Sequence, residues 1–130
     1  MAEEKKKEAQ ETKETKVERE IPQLKAGMTI KVHEKIKDID AKGKERTRVQ
    51  IFEGVVLAVK NQKTASGTVL VRKISHNKIG VEKIFPLQSP LVGKIEILKE
   101  IKTRRAKLYF LPTYKKRLKL KKNTETKVKK

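Results

Sequence analysis

The stretch Gln50-Ile51-Phe52-Glu53-Gly54-Val55-Val56-Leu57-Ala58-Val59 sets one carboxylate inside a run of strand-forming apolar residues. A carboxyl buried there would hold its proton to higher pH than usual, which is how a general acid is made. Such an acid needs partners, and the chain offers few. It has no cysteine and only two histidines, His33 and His76. A hydrolytic arrangement would need Ser66 or Ser75 with His76 and a carboxylate. Ser75 and His76 are adjacent, however, so in a strand they point to opposite faces. Gly27, Gly43, Gly54, Gly67, Gly80 and Gly93 stand singly, and no phosphate-cradling loop is present. No catalysis, metal site or cofactor is expected. The better reading of Glu53 is structural: Gly54 lets a long strand bend or bulge at a barrel corner, and Glu53 is released toward an edge where an amide or cation satisfies it.

The residue types that remain informative are cations and aromatics. Arg104-Arg105 and Lys107 stand beside Tyr109, and Tyr114 precedes Lys115-Lys116-Arg117, combining phosphate-binding groups with faces on which bases can stack. Lys102 opens the same segment. Further candidates are Arg46 and Arg48, Lys60 and Lys63, and the group Arg72, Lys73, Ser75, His76 and Lys78. His33, between Lys31 and Lys35, reads as surface decoration.

The formal charge of +19 on 130 residues exceeds what solubility needs and points to a polyanionic partner. The charge is unevenly spread. Residues 1–20 hold six basic and seven acidic side chains, residues 21–101 sixteen and eight, and residues 102–130 thirteen and one. That is a modestly basic domain with a polycationic extension.

Three segments are expected to present these groups. Residues 1–20 are too polar to offset their ordering entropy and are expected as a charged extension, disordered or frayed helix. Residues 21–101 carry strand signals at Met28 to His33, residues 46–60, Thr68 to Ser75, Val81 to Phe85 and Lys94 to Ile101, separated by turn-rich loops. Apolar residues on both faces of 46–60 mark a central or strongly bent strand. Five short strands predict a mainly β chain, folded as a small closed barrel because open edges on so small a sheet invite aggregation. Residues 102–130 are expected as a basic RNA-binding extension. Thr103 to Leu111 predict two helical turns ending before Pro112, with Leu108 and Leu111 on one face. Tyr114 to Lys122 should be extended, or helical only against a partner. Truncation after Thr103 is expected to leave a folded barrel with much weaker RNA affinity.

No apolar stretch is long enough to span a bilayer, and Met1 to Gln10 lack the apolar segment of a signal peptide, so a cytoplasmic location is expected. The extension has no broad apolar face and no cysteine for lipidation, which argues against a membrane partner. DNA fits by charge alone. A small barrel with long basic extensions suits an irregular folded RNA better than a regular groove.

Four motifs then occur in a specific order: Phe52-Glu53-Gly54-Val55-Val56; Val71-Arg72-Lys73-Ile74-Ser75; Gly80-Val81-Glu82-Lys83-Ile84-Phe85-Pro86 with Ser89-Pro90; and Arg104-Arg105-Ala106-Lys107-Leu108-Tyr109. In this order they resemble the bacterial large-subunit ribosomal protein L-nineteen family over roughly residues 21–111. The resemblance implies an SH3-like barrel with basic extensions, bound to large-subunit rRNA at the interface between subunits. It also implies neighbours of the L-fourteen and L-three families and bridges to small-subunit rRNA. By motif, Arg72, Lys73, Ser75, Arg104, Arg105, Lys107 and Tyr109 are the implied RNA contacts. The chain departs from the family pattern at Met28, at Phe110 in place of a second tyrosine, at Pro112 in place of arginine, and at Glu100 to Thr103. Two other functions remain open at this point: a nucleoid-type DNA-binding protein and a non-ribosomal protein-interaction barrel.

Overall fold

Alternation of apolar and polar residues from Ile21 onward is realised as strands in the computed structural model, which describes residues 21–121. The extension at 1–20 lies outside the described residues. The strands are β1 (Met28–Ile39), β2 (Glu45–Lys60), β3 (Thr68–Ile74), β4 (Gly80–Pro86) and β5 (Val92–Glu100). All pairings are antiparallel, in the order β4-β3-β2-β1-β5, so β2 is central, as its two apolar faces imply.

One face of this sheet supplies the core. Ile30 and Val32 of β1, Val56 of β2, and Val69 and Val71 of β3 retain no exposed surface. Phe52, Phe85 and Val92 join them, with Leu24 and Leu87 from the flanking segments. No second sheet and no α-helix covers this face among the described residues, so the sheet must curl over itself. The ion pair of Lys83 on β4 with Glu34 on β1 demonstrates the curl. Those strands have two others between them and would lie roughly 14 Å apart in a flat sheet. The Phe52 and Phe85 rings meet edge to face at 5.3 Å across the same curl.

The mainly β expectation holds, whereas closure does not: no ladder joins β4 to β5. Pro86 ends β4, and the following segment crosses the barrel end, where the Leu87 N–H donates to the Gly67 carbonyl at 2.8 Å. β5 then starts beside β1 rather than beside β4. The result is an open, strongly curled sheet of five antiparallel strands rather than a closed barrel.

Strand β2 resolves the question raised by Glu53. The side chain is exposed on the outer face, directly opposite Lys31 in register, with Nζ and Oε2 3.6 Å apart. A cation does satisfy it, but on the face of the central strand rather than at an edge. Gly54 is needed because a Cβ there would lie 2.4 Å from the Arg72 carbonyl oxygen of β3. The bulge falls three residues later: the register shifts between Val56↔Val71 and Ala58↔Leu70, leaving Leu57 as the extra residue.

β1 is longer than expected. Asp38 to Lys44 read as a polar loop, yet the β1–β2 ladder continues to Ile39↔Glu45, and only the tip is a turn. Gly43, at φ +74°, permits that turn, and its N–H donates to the Asp40 carbonyl at 2.8 Å. β2 runs on for about 23 Å past Phe52, its last buried residue at this end, and beyond Lys35, whose N–H still donates to the Leu91 carbonyl at 2.7 Å, β1 and β2 alone form a solvated arm.

Candidate nucleic-acid interface

The antiparallel register sorts the sequence-predicted residues to two ends of the curl. Arg46 and Arg48 lie on the arm, and the β3–β4 turn at the same end carries Ser75, His76 and Lys78, all exposed. Lys73 also faces this end, its Nζ 4.5 Å from the Phe52 ring centroid. At the opposite end are Lys60 and Lys63, near the β2–β3 loop, and the segment after β5, because Glu100 pairs with Met28 at the start of β1. Lys102, Arg104, Arg105, Lys107, Tyr109, Tyr114, Lys115, Lys116 and Arg117 all belong to this second end, and all are exposed. Arg72 stands apart on the outer face of β3.

Local electrostatics separate the two sets further. On the curl, carboxylates occupy Lys31, Arg72, Lys83 and Lys94. Arg72 Nη1 donates to Glu82 Oε1 at 2.9 Å, and its guanidinium lies so close over Gly80 that a Cβ there would meet Nη2 at 2.2 Å. On the arm, Arg48 pairs with Asp38 at 2.8 Å. Glu96 takes a 2.7 Å contact from Lys94 and lies 3.7 Å from His33 Nε2. The Lys94 hydrogen bond and charge hold the Glu96 carboxyl below the usual carboxylate range. His33 is therefore half-buried beside a carboxylate and not simple surface decoration. After β5 the only carboxylate contact among the described residues is Glu100 with Lys121, at 3.1 Å. Arg104, Arg105, Lys107, Lys115, Lys116, Arg117 and Lys119 form no ion pair among the described residues.

These cations are held by a backbone that is not the expected pair of helical turns. The sole helical element among the described residues is a 3₁₀ turn at Leu111–Thr113, and it includes Pro112 rather than stopping before it. Residues 103–110 are instead tied to distant parts of the chain. The Leu108 N–H donates to the carbonyl of the bulged Leu57 at 2.8 Å, and Thr103 Oγ1 donates to the Ala26 carbonyl at 3.3 Å. Leu108 is buried, as are Leu57 and Ile101, outside the main core. The chain then returns: Lys102 N–H donates to Lys119 O, Lys121 N–H donates to Glu100 O, and Leu120 bridges Ile101. The expected partner for an extended Tyr114 to Lys122 is, through Lys121, the chain's own β5 end.

Gly27 makes this crossing fit. It has φ +90°, and a Cβ would lie 2.4 Å from Thr103 Cγ2. Its N–H donates to Val56 O and its carbonyl accepts from Ile101 N–H.

The closed tail loop encloses a cleft of about 620 Å³. Its floor is apolar: Ile101, Leu108, Phe110, Leu111 and Leu118. Its rim is cationic: Lys102, Arg104, Arg105, Arg117 and Lys119, with Tyr114 beside them. Phe110 meets Tyr114 edge to face at 5.5 Å, and the Arg105 guanidinium lies 5.2 Å from the Phe110 ring centroid. Of the predicted residues, Lys102, Arg104, Arg105, Tyr114 and Arg117 line the cleft, whereas Lys107, Tyr109, Lys115 and Lys116 do not. Phe110, Leu118 and Lys119 were not among the sequence candidates. The signal for Phe110 was its place in an aromatic pair with Tyr109, but adjacency alone does not say which ring turns inward.

The family model described as Ribosomal protein L19 matches residues 7–124. The chain belongs to the ribosomal protein L19 family. It is 44% identical over 107 residues to the large ribosomal subunit protein bL19 of Pseudothermotoga lettingae, covering 82% of this chain and 87% of that one. The protein of the same description from Clostridium botulinum is 46% identical over 95 residues, 73% and 77% of the two chains. That from Petrotoga mobilis is 40% identical over 103 residues, 78% and 84%. The L19 match extends on both sides of the described curl and takes in the arm, the tail loop and the cleft.

Proposed function

We propose that this L19 chain is a structural constituent of the large ribosomal subunit in the cytoplasm and binds rRNA through its two basic ends. Family membership supports the ribosomal role, which involves no catalysed reaction. The observation that carries the RNA reading is the contrast in charge pairing: Glu34, Asp38, Glu53, Glu82 and Glu96 each hold a cation on the strands. Arg104, Arg105, Lys107, Lys115, Lys116, Arg117 and Lys119 have no such partners among the described residues, and like charges held in one loop require a polyanion to neutralise them. Arg104, Arg105, Lys107, Tyr109, Tyr114, Lys115, Lys116 and Arg117 are the proposed tail contacts, with Lys60, Lys63 and Lys102 at the same end. Arg46, Arg48, Lys73, Ser75, His76 and Lys78 serve at the arm end, and Arg72 acts chiefly by fixing β3 to β4.

The finer placement follows the family resemblance: the chain sits at the interface between subunits beside the L-fourteen and L-three neighbours and takes part in bridges to small-subunit rRNA. The arm, reaching about 23 Å past the last buried residue of β2, is the element with the span to touch a second RNA body.

Filter binding of the full chain to a large-subunit rRNA fragment tests the electrostatic reading. With about six phosphates neutralised, log affinity should fall with log salt at a slope of about −4 to −5. Affinity independent of salt, or duplex DNA competing as well as the rRNA, would sink it. Sedimentation of cell extract should place the chain with large subunits.

A further inference from the structure

A groove that only neutralised phosphates would have no use for an apolar floor. The tail cleft has one, and it is half-open: Phe110, Leu111 and Leu118 remain partly exposed while Ile101 and Leu108 are buried beneath. Its volume of about 620 Å³ lies within the range of small-ligand sites, roughly 300–1,000 Å³. We propose that this cleft holds one unstacked nucleobase of the bound RNA, with Phe110 as its stacking platform and Arg104, Arg105 and Arg117 on the flanking phosphates. This rests on the RNA-binding reading above and adds a specific site to it.

Charge selects this occupant. An apolar peptide side chain would fill the floor but would bury the rim cations without partners, at a steep desolvation cost. A nucleotide supplies a flat apolar face and an anion together. Duplex RNA keeps its base faces stacked and hidden, so the occupant comes from a single strand, bulge or loop. The ring geometry fits the same answer. The Arg105 guanidinium already lies over Phe110 at 5.2 Å as a planar cation does on a π face, and Tyr114 walls the ring at 79°. A base entering the cleft meets aromatic rings and an Arg plane, the stacking partners that single-strand binders use. Tyr109, 60% exposed and outside the cleft, is not the platform.

The test uses the full chain and two labelled probes read by fluorescence anisotropy: a single-stranded decamer of adenylates, and the same ribose-phosphate decamer without bases. Wild type should bind the intact strand about five- to a hundredfold more tightly than the abasic one. Phe110→Ala should abolish most of that difference, weakening binding of the intact strand far more than binding of the abasic one. Phe110→Trp should restore it, which loss of fold could not do. Equal binding of the two probes by wild type, or an equal loss on both in Phe110→Ala, overturns the base site while leaving the RNA reading standing. Binding of neither probe overturns the RNA reading and the base site with it.

Discussion

The arm of β1 and β2 and the tail after β5 both present lysines and arginines to solvent, yet different forces hold them. The arm is regular: an uninterrupted ladder from Ile36↔Arg48 to Ile39↔Glu45, beyond the last hydrogen bond of β1 to the β5 side, from the Lys35 N–H to the Leu91 carbonyl at 2.7 Å. Its shape comes from hydrogen bonds between its own two strands. The tail is irregular, and its shape comes from elsewhere: a buried Leu108, a bulged Leu57 carbonyl and a crossing at Gly27. The arm therefore adds reach without adding to the core, while the tail adds a site by becoming part of the outer packing. On the arm Arg48 pairs with Asp38, and at the tail Lys121 pairs with Glu100, whereas the seven cations from Arg104 to Lys119 form no ion pair among the described residues. Regular backbone carries both signs of charge in one region, with Asp38, Asp40 and Glu45 among the cations, and irregular backbone carries only positive charge over residues 101–121 in the other.

This contrast is broken most directly at Leu108. Leu108→Ala should lower unfolding stability by about 2–5 kcal/mol in urea melts, the usual cost of emptying a buried leucine site. A loss under about 1 kcal/mol would mean that the tail merely rests on the curl. Truncation after Thr103 removes Leu108 and the return ladder together, so it should cost at least as much, rather than leaving the barrel untouched. Gly27→Ala comes next, at roughly 1–3 kcal/mol, since it combines a left-handed backbone with the contact to Thr103. Glu53→Gln should cost only about 0.2–1 kcal/mol, because the pair with Lys31 is exposed. Replacing residues 37–47 by Asn-Gly should leave stability within about 0.5 kcal/mol while weakening rRNA binding. A large stability loss there would show the arm to be part of the folding unit.

Acid provides the finest distinction. The Glu96 carboxyl is depressed, so its contribution is present above the ordinary carboxylate range and is lost as pH falls through its lowered folded value. Lys94→Ala should move that titration upward in carboxyl-carbon NMR and leave resonances of the tail loop still.

How much of this could be read from residues follows the same division. Strands β3 and β4 were legible from alternation, and the centrality of β2 from its two apolar faces. The far half of β1 was not, because Ile36 and Ile39 stand three apart among charges and imitate a loop. Val49 and Ile51 suggested an inward face, yet they are 58% and 53% exposed: the arm outruns the core that would have covered them. The tail was misread as helix because its local pattern is helical, while its conformation is set by Leu57 and Gly27, dozens of residues away. The cations of the cleft were legible by type. Its platform, Phe110, was not, since only the 3₁₀ turn decides which of two neighbouring rings faces inward.

The strand order also bears on how the chain reaches this state. Strands β1 to β4 pair with their sequence neighbours, so each hairpin can form from contacts close along the chain. β5 must instead find β1, as Met28↔Glu100 does, across most of the described length. Closing so long a loop adds little entropy cost per extra residue, but it slows the search. Folding should therefore show a rapid meander phase followed by a slower seam between β1 and β5, and the tail can latch at Gly27 only after that seam is set.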